Sequence, residues 1–346
     1  MNRGIAVTGQ STVLIKPKRS TSIYVIGLLL LLVFISALYL MLGERFITPM
    51  EVWRAIFGKG NGEQIFIVQT LRSPRLIVGL LIGASLAVSG AILQSIVRNP
   101  LAAPDVVGIT GGASAGAVLF LTRFPGLFSV HLLPIPAMVG ALIAALVVYA
   151  LSWKGGVSSI RLVLVGIGVA SILSAFTSFL LIFSPIYSAS SAYIWLTGTI
   201  YATTWTNVFT LLPWTVGLLL IVALSTRHIN VQLLGDELAT GLGSAVQRHR
   251  FLLLLLSVAL AGSAVSIGGV IGFVGLIAPH MARKLIGPVM SRVLPVSALI
   301  GAILVVSADL IGRVAFLPLD IPVGVFTAAI GAPFFIYLLY RTRNQG

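Results

Sequence analysis

Long apolar segments separated by short polar stretches repeat along the whole chain. Segments of about 20 mostly apolar residues are long enough to cross a hydrocarbon layer of about 30 Å as α-helices. The pattern therefore predicts an all-α polytopic membrane protein with about ten transmembrane helices. We place them at residues 23–42, 72–98, 106–121, 132–151, 161–183, 207–224, 251–267, 269–278, 293–313 and 322–340.

The composition supports a single membrane domain. Hydrophobic residues make up 58% of the chain and charged residues 9%, with a mean hydropathy of +1.09. A soluble globular domain has roughly a quarter of charged residues. Because no polar block is long enough for a separate soluble domain, we expect a short cytoplasmic segment over residues 1–20 and one transmembrane domain over residues 21–346.

The net charge of +14 fits a membrane topology better than a nucleic-acid-binding face. Basic residues lie in short loops, and fifteen of the 22 lysines and arginines fall on the inner side when both termini are placed in the cytoplasm. This is the expected positive-inside bias. We expect a multi-pass membrane protein with no nucleic-acid partner. Cysteine is absent, which excludes disulfides and thiolate chemistry in this chain.

Two loops have recognisable local signals. In the outer loop, Thr48-Pro49-Met50-Glu51 is typical of a capping box with proline at the first helical position. The resulting short helix would lie at the membrane surface through an apolar face. A second outer segment, residues 184–206, is polar and aromatic.

The inner loop over residues 227–250 contains two adjacent carboxylates, Asp236 and Glu237, in a chain with only 8 acidic residues. The loop is longer than a connector needs to be. It also has leucines at helical spacing, namely Leu233, Leu234, Leu238 and Leu242. A solvated loop helix is one interpretation. We favour a partner protein, because exposed apolar patches commonly mark interaction sites.

Several other residues have competing interpretations. Arg72 and Arg75 are either interfacial anchors or an exposed cationic pair that docks an acidic partner. Asp309 and Arg313 lie four residues apart on one predicted helix, which favours a structural ion pair over a functional intramembrane acid. No second histidine, cysteine or acidic residue lies at metal-ligand spacing from His280, so we expect a structural role for this histidine and no metal site.

Small residues recur every four positions in two predicted helices: Gly79, Gly83 and Ala87, then Gly108, Gly112 and Gly116. This spacing lets helix backbones approach closely. We favour internal packing, with subunit pairing or pore lining as alternatives. No phosphate-loop motif is present, so ATP-driven work requires a separate subunit.

A set of motifs resembles the permease subunits of ABC importers for iron-siderophores, haem and vitamin B12. The matching strings are Leu71–Arg75, Gly83–Ala91 with Gln94, Arg98–Ala102, Gly235–Gly243, Gly272–His280, Pro322–Gly324 and Gly331–Pro333. Together they cover nearly the whole chain.

The resemblance implies a vitamin B12-importer-type permease fold with ten helices. It also implies a second permease subunit, identical or paralogous, two cytoplasmic ABC ATPases and an extracytoplasmic binding protein. The ATPase-coupling residues would be Gly235, Asp236, Glu237, Ala239, Leu242 and Gly243. The residues that dock the binding protein would be Arg72, Arg75 and Arg313.

These expectations define an importer permease in the lipid bilayer of a bacterial cell membrane that is not an enzyme and needs no cofactor. The preferred substrate is a ferric siderophore, with haem or vitamin B12 as alternatives. An ion-driven secondary transporter is the second class of function, although such carriers usually place carboxylates at mid-membrane. An intramembrane hydrolase is a weaker third, because no paired catalytic acids or Ser-His arrangement is evident.

Overall fold

The computed structural model of the chain describes residues 21–124 and 129–343, so the predicted segment over residues 1–20 lies outside it. The described residues form α-helices joined by short turns. In chain order these are α1 Thr21–Met41, α2 Pro49–Ile56, α3 Gly62–Ile65, α4 Ser73–Val97, α5 Ile109–Arg123, α6 Pro134–Leu151, α7 Ser159–Ile182, α8 Ile186–Leu196, α9 Trp205–Leu224, α10 Thr226–Leu233, α11 Asp236–Gly241, α12 Val246–Gly268, α13 Val274–Ile286, α14 Met290–Val314 and α15 Val323–Arg343. A π-helical stretch, Phe66–Arg72, joins α3 to α4.

The predicted all-α membrane fold is confirmed. In the described part of the chain, seven helical segments are long and apolar enough to cross a membrane. They contain α1, α4, α6, α7, α9, α12 and α14. The other predicted positions contain the shorter helices α5 and α13, and α15, whose apolar stretch is Val323–Leu338. Each predicted segment thus contains a helix, while the count of ten membrane crossings stays a prediction.

Helix α4 lies at the centre of the bundle, where it packs against α9, α12, α13 and α14. Its sequence is apolar on all sides, which is typical of a helix buried in a larger bundle. Helix α1, in contrast, lies at the edge of the bundle, and Tyr39 is the one residue of this helix that is buried. Because four helices pack against α4, a movement of α4 is transmitted directly to most of the bundle.

The small-residue repeats pack helices against one another inside the chain, as expected. A Cβ atom built on Gly83 would lie 2.3 Å from the carbonyl oxygen of Gly301 on α14. One built on Gly112 would lie 2.3 Å from the carbonyl oxygen of Gly140 on α6. Such close backbone contacts exclude any side chain, so glycine is required at these crossings.

We expect Gly90→Ala to destabilise the protein by about 3 kcal/mol, because the added methyl group cannot be accommodated without moving the backbone. Its Cβ would lie 1.8 Å from the carbonyl oxygen of Gly275 at the crossing of α4 and α13. Thermal unfolding of the detergent-purified protein measures the effect. Gly168→Ala is the matched control, since Gly168 is also helical and a Cβ added there would meet no atom within 4 Å. Equal unfolding temperatures for the two variants would contradict the packing argument.

The predicted boundary of the eighth membrane segment, residues 269–278, is wrong. Helix α13 begins at Val274 and continues to Ile286. The preceding residues leave helical geometry because Gly269 and Phe273 have positive φ angles of 68° and 66°. At Gly269 the chain passes so close to the carbonyl oxygen of Trp195 that a Cβ would lie 2.2 Å away.

The predicted capping box at the start of α2 is confirmed. The backbone N–H of Thr48 donates to Glu51 Oε2 at 2.8 Å, and the N–H of Glu51 donates to Thr48 Oγ1 at 3.4 Å. Hydrogen bonds from the Thr48 backbone and hydroxyl lower the pKa of Glu51. The exposed apolar side chains of Trp53 and Phe57 fit the predicted surface helix.

Candidate functional site

The inner loop predicted over residues 227–250 is a compact helical unit. It consists of α10, the six-residue α11 and the first turn of α12. Gly235 and Gly243 bound α11 with positive φ angles of 97° and 76°, which favour glycine. We call residues 235–243 the α11 segment; it contains all the residues predicted to contact an ATPase.

The two adjacent carboxylates of the α11 segment have different environments. Asp236 Oδ1 accepts hydrogen bonds from Nη2 of Arg98 at 2.9 Å and from Nη2 of Arg250 at 2.6 Å. Arg250 is fully buried and also donates to the carbonyl oxygen of Val157. Asp236 thus ties the α11 segment to the end of α4 and the start of α12.

Glu237 faces solvent instead. Successive residues of a helix point about 100° apart, so neighbours cannot share a face. The side chain of Glu237 is exposed and makes no hydrogen bond or ion pair with the described residues. Two leucines of the same segment are also exposed, Leu238 at 64% and Leu242 at 68%, while Ala239 is buried. The α11 segment therefore presents one carboxylate and two large apolar side chains, while Asp236 binds it to Arg98 and Arg250.

A buried ionic cluster lies at the other end of α4. Arg75 donates from Nε and Nη2 to Asp309 at 2.8 and 2.7 Å, and from Nη1 and Nη2 to Asp320 at 2.5 and 2.8 Å. The hydroxyl of Tyr39 donates to Asp309 Oδ2 at 2.5 Å. We call Tyr39, Arg75, Asp309 and Asp320 the Arg75 cluster. It joins α1, α4, α14 and the segment that follows α14.

The predicted pairing of Asp309 with Arg313 is wrong. Asp309 is bound by Arg75, because a guanidinium presents a planar fork that matches both carboxylate oxygens. Arg313 donates from Nη2 to the carbonyl oxygens of Tyr39 and Leu42 at 2.7 and 3.0 Å. Its guanidinium lies 4.2 Å from the ring centre of Tyr39.

Arg72 and Arg75 are not the exposed cationic pair that was one of the two sequence interpretations. Their exposed fractions are 5% and 6%. Arg72 donates to the carbonyl oxygens of Leu40 and Arg45, both at 2.6 Å. With Arg313, it satisfies carbonyl groups at the end of α1, which have no partner inside the helix. The docking role of the three arginines stays a prediction, and each has acceptors inside the chain.

Sequence patterns did not identify the residues that bind Asp236 at one end of α4 or those that complete the Arg75 cluster at the other end. Arg98 and Arg250 were counted among the inner basic residues, and Arg98 also begins a matching string, but neither was paired with Asp236; Asp320 and Tyr39 were not singled out. Three of the four have partners far away along the chain, and Arg250 lies 14 residues from Asp236, so helical spacing reveals none of these pairs. His280 packs edge-on against Phe334 with ring centres 5.8 Å apart, in agreement with its expected structural role.

Comparisons with known proteins agree with this architecture. The sequence matches the FecCD transport family over residues 28–341. It is 50% identical over 309 residues to the probable siderophore transport system permease protein YfhA of Bacillus subtilis (strain 168), which covers 88% of this chain and 90% of that protein. It is 48% identical over 316 residues to the achromobactin transport system permease protein CbrC of Dickeya dadantii (strain 3937), covering 91% and 90%.

The fold is also similar to a solved structure. A chain of a putative metal-chelate type ABC transporter in an inward-facing conformation superposes with a TM-score of 0.82 at 29% sequence identity. The alignment covers 93% of this chain and 99% of that chain. The residues matched by the family, 28–341, include the Arg75 cluster at one end of α4 and the α11 segment at the other. The chain therefore belongs to the FecCD transport family.

Proposed function

We propose that the chain is the membrane-spanning permease subunit of an ATP-driven ABC importer for a ferric siderophore. The observation that most strongly supports the substrate is the 50% identity, over 88% of this chain, to a protein named as a probable siderophore permease. Haem and vitamin B12 are the alternative cargoes on the same fold. The cargo crosses the membrane unchanged, so the chain has no catalytic residue of its own.

The α11 segment is the proposed contact with a cytoplasmic ATPase subunit. Its exposed Leu238 and Leu242 offer apolar area, and Glu237 offers a charge to a complementary groove. The internal bonds of Asp236 hold this surface against α4 and α12. A movement imposed by the ATPase on the α11 segment thus reaches the central helix α4 directly, which biases the bundle between its conformations.

The remaining partners follow from the family resemblance. A second permease subunit, identical or paralogous, completes the pathway, and two ATPase subunits bind on the side of the α11 segment. Both termini lie on this cytoplasmic side. The extracytoplasmic binding protein docks at the opposite end, where Arg72, Arg75 and Arg313 lie.

An ion-driven secondary transporter is disfavoured by the Arg75 cluster. A proton- or sodium-coupled carrier needs a carboxylate that releases and rebinds its ion. The side chain of Asp309 is 1% exposed and is held by two hydrogen bonds from Arg75 and one from Tyr39. A carboxylate compensated in this way is fixed in an ion pair.

The proposed function predicts that deletion of the gene abolishes most energy-dependent uptake of one class of ferric siderophore. We would measure uptake of radiolabelled iron as hydroxamate, catecholate and hydroxycarboxylate chelates in deleted and complemented cells. Labelled haem and cyanocobalamin are the control cargoes. Uptake that stops on ATP depletion but persists when the proton gradient is dissipated supports the importer. The reverse pattern would favour the ion-driven carrier.

A further inference from the structure

A cavity of about 410 Å³ opens between the end of α9, helix α10 and the start of α12, apart from the α11 segment. Its polar side is formed by Ser225, His228, Arg248 and His249. Its other side is formed by leucines of α12. We propose that this cavity binds the phosphate headgroup of an anionic phospholipid from the cytoplasmic leaflet; this rests on the cytoplasmic orientation of the α11 segment in the proposed function.

The polar side concentrates basic groups without a lining carboxylate. The rings of His228 and His249 stack with centres 4.1 Å apart and planes 24° apart, beside the exposed Arg248. Neither acid of the neighbouring α11 segment lines the cavity, and one of them, Asp236, is already bound by two other arginines. An anion in the cavity would reduce the repulsion among these groups, because opposite charges attract strongly at short range.

One histidine is already oriented for such a ligand. Nδ1 of His249 lies 3.0 Å from Oγ of Ser244 in a hydrogen bond. A bond at one ring nitrogen fixes the ring and leaves the other nitrogen, Nε2, for a second partner. The hydroxyl of Ser225 lies on the same cavity wall.

The apolar side distinguishes a phospholipid from a free anion. Leu252, Leu253 and Leu256 line the cavity, and Leu252 is 46% exposed. The neighbouring Leu224, the last residue of α9, is highly exposed as well. Free phosphate gains nothing from contact with these leucines, whereas a phospholipid also carries acyl chains that can pack against them. Basic pockets between membrane helices on the cytoplasmic side are known to suit anionic headgroups.

A bound lipid would also stabilise the base of the proposed coupling element. Helix α10 is held to α12 by the hydrogen bond from Gln232 Nε2 to the carbonyl oxygen of Val246, at 3.1 Å. The cavity lies between the same two helices. A headgroup bound there would link them at a second point and so reduce the freedom of α10, which leads directly into α11.

The test measures binding of dioleoylphosphatidylglycerol to the complete purified transporter by native mass spectrometry, with dioleoylphosphatidylcholine as the neutral comparison. We expect the phosphatidylglycerol to be retained preferentially. Arg248→Gln should weaken its binding about fivefold, because one basic residue near an anionic headgroup contributes roughly that much. Arg227→Gln is the matched control, since Arg227 is an exposed arginine of the same region that does not line the cavity.

Several outcomes would overturn the proposal. Equal weakening by Arg248→Gln and Arg227→Gln would indicate general surface attraction. Displacement of the lipid by millimolar inorganic phosphate at constant ionic strength would indicate a free-anion site. Zinc binding that depends on His228, with no lipid preference, would indicate a metal site. The chain has no cysteine, so a single Arg227→Cys variant can be labelled from either side of the membrane to determine which side the cavity faces. If the cavity faces the cytoplasm and still binds no lipid, the proposal itself is wrong; if it faces the other side, the assumed topology is wrong.

Discussion

Arg75→Met will lower the free energy of unfolding by about 3–5 kcal/mol, because it leaves buried carboxylates without their positive partner. The side chain of Asp309 is 1% exposed, so it cannot regain water when the guanidinium is removed. Asp320 is 23% exposed and loses its bond to the same residue. Thermal unfolding in detergent, followed by tryptophan fluorescence, measures the loss.

Two further variants distinguish the effect of the positive charge of Arg75 from the effect of its forked hydrogen bonds. Arg75→Lys keeps the positive charge but cannot form the forked bonds to both carboxylates, so it should fall between wild type and Arg75→Met. Arg75→Met combined with Asp309→Leu removes the buried ion pair and should recover part of the stability. The control is Arg54→Met, which removes an exposed arginine of α2. Equal stability of Arg75→Met and Arg54→Met would contradict the structural role of the cluster.

This prediction also determines how the docking hypothesis is tested. A variant of Arg72, Arg75 or Arg313 that loses binding-protein affinity has two explanations, because all three side chains also hold the chain together. Affinity must therefore be compared with the unfolding temperature of the same variant. Loss of docking at unchanged stability supports direct contact, and loss of both indicates an indirect effect of misfolding.

The features that local sequence determines were the ones predicted correctly. The apolar segments, the α2 capping box from Thr48 to Glu51 and the close-packing glycines all depend on short-range spacing. The start of α13 was missed because the break at Gly269 and Phe273 arises from contact with a distant segment. Helical spacing gave Asp309 the wrong partner, because Arg75, on another helix, binds it with better geometry.

The sequence indicated where the α11 segment lies but not which groups its side chains contact. The acidic loop residues, the leucines and the bounding glycines identify the α11 segment from sequence alone. Adjacency in a helix also implies that Asp236 and Glu237 diverge. Which of the two turns inward depends on Arg98 and Arg250, and only the folded structure brings those arginines together.

The two carboxylates of the α11 segment should consequently behave differently when substituted. Asp236→Asn will destabilise the protein by about 2–3 kcal/mol, since two arginines lose a charged acceptor and one of them is fully buried. Glu237→Arg will change stability by less than about 0.5 kcal/mol, as is usual for an exposed side chain. Under the proposed function, Glu237→Arg combined with Leu238→Asp will nevertheless abolish ATPase association and iron uptake.

Three measurements on the same variants decide this prediction: unfolding temperature, co-purification of the ATPase subunits and uptake of the ferric chelate. Glu44→Arg reverses another exposed acid, close to the end of α1 and far from the α11 segment, so it should leave the unfolding temperature and ATPase co-purification unchanged. Normal ATPase co-purification and uptake by the Glu237→Arg, Leu238→Asp variant would reject the α11 segment as the coupling contact. Loss of ATPase co-purification by Asp236→Asn at wild-type stability would show that Asp236 touches the ATPase itself. Its Oδ2, which accepts no hydrogen bond from the described residues, would then accept from the ATPase while Oδ1 keeps its bonds to Arg98 and Arg250, because a carboxylate has about four acceptor positions.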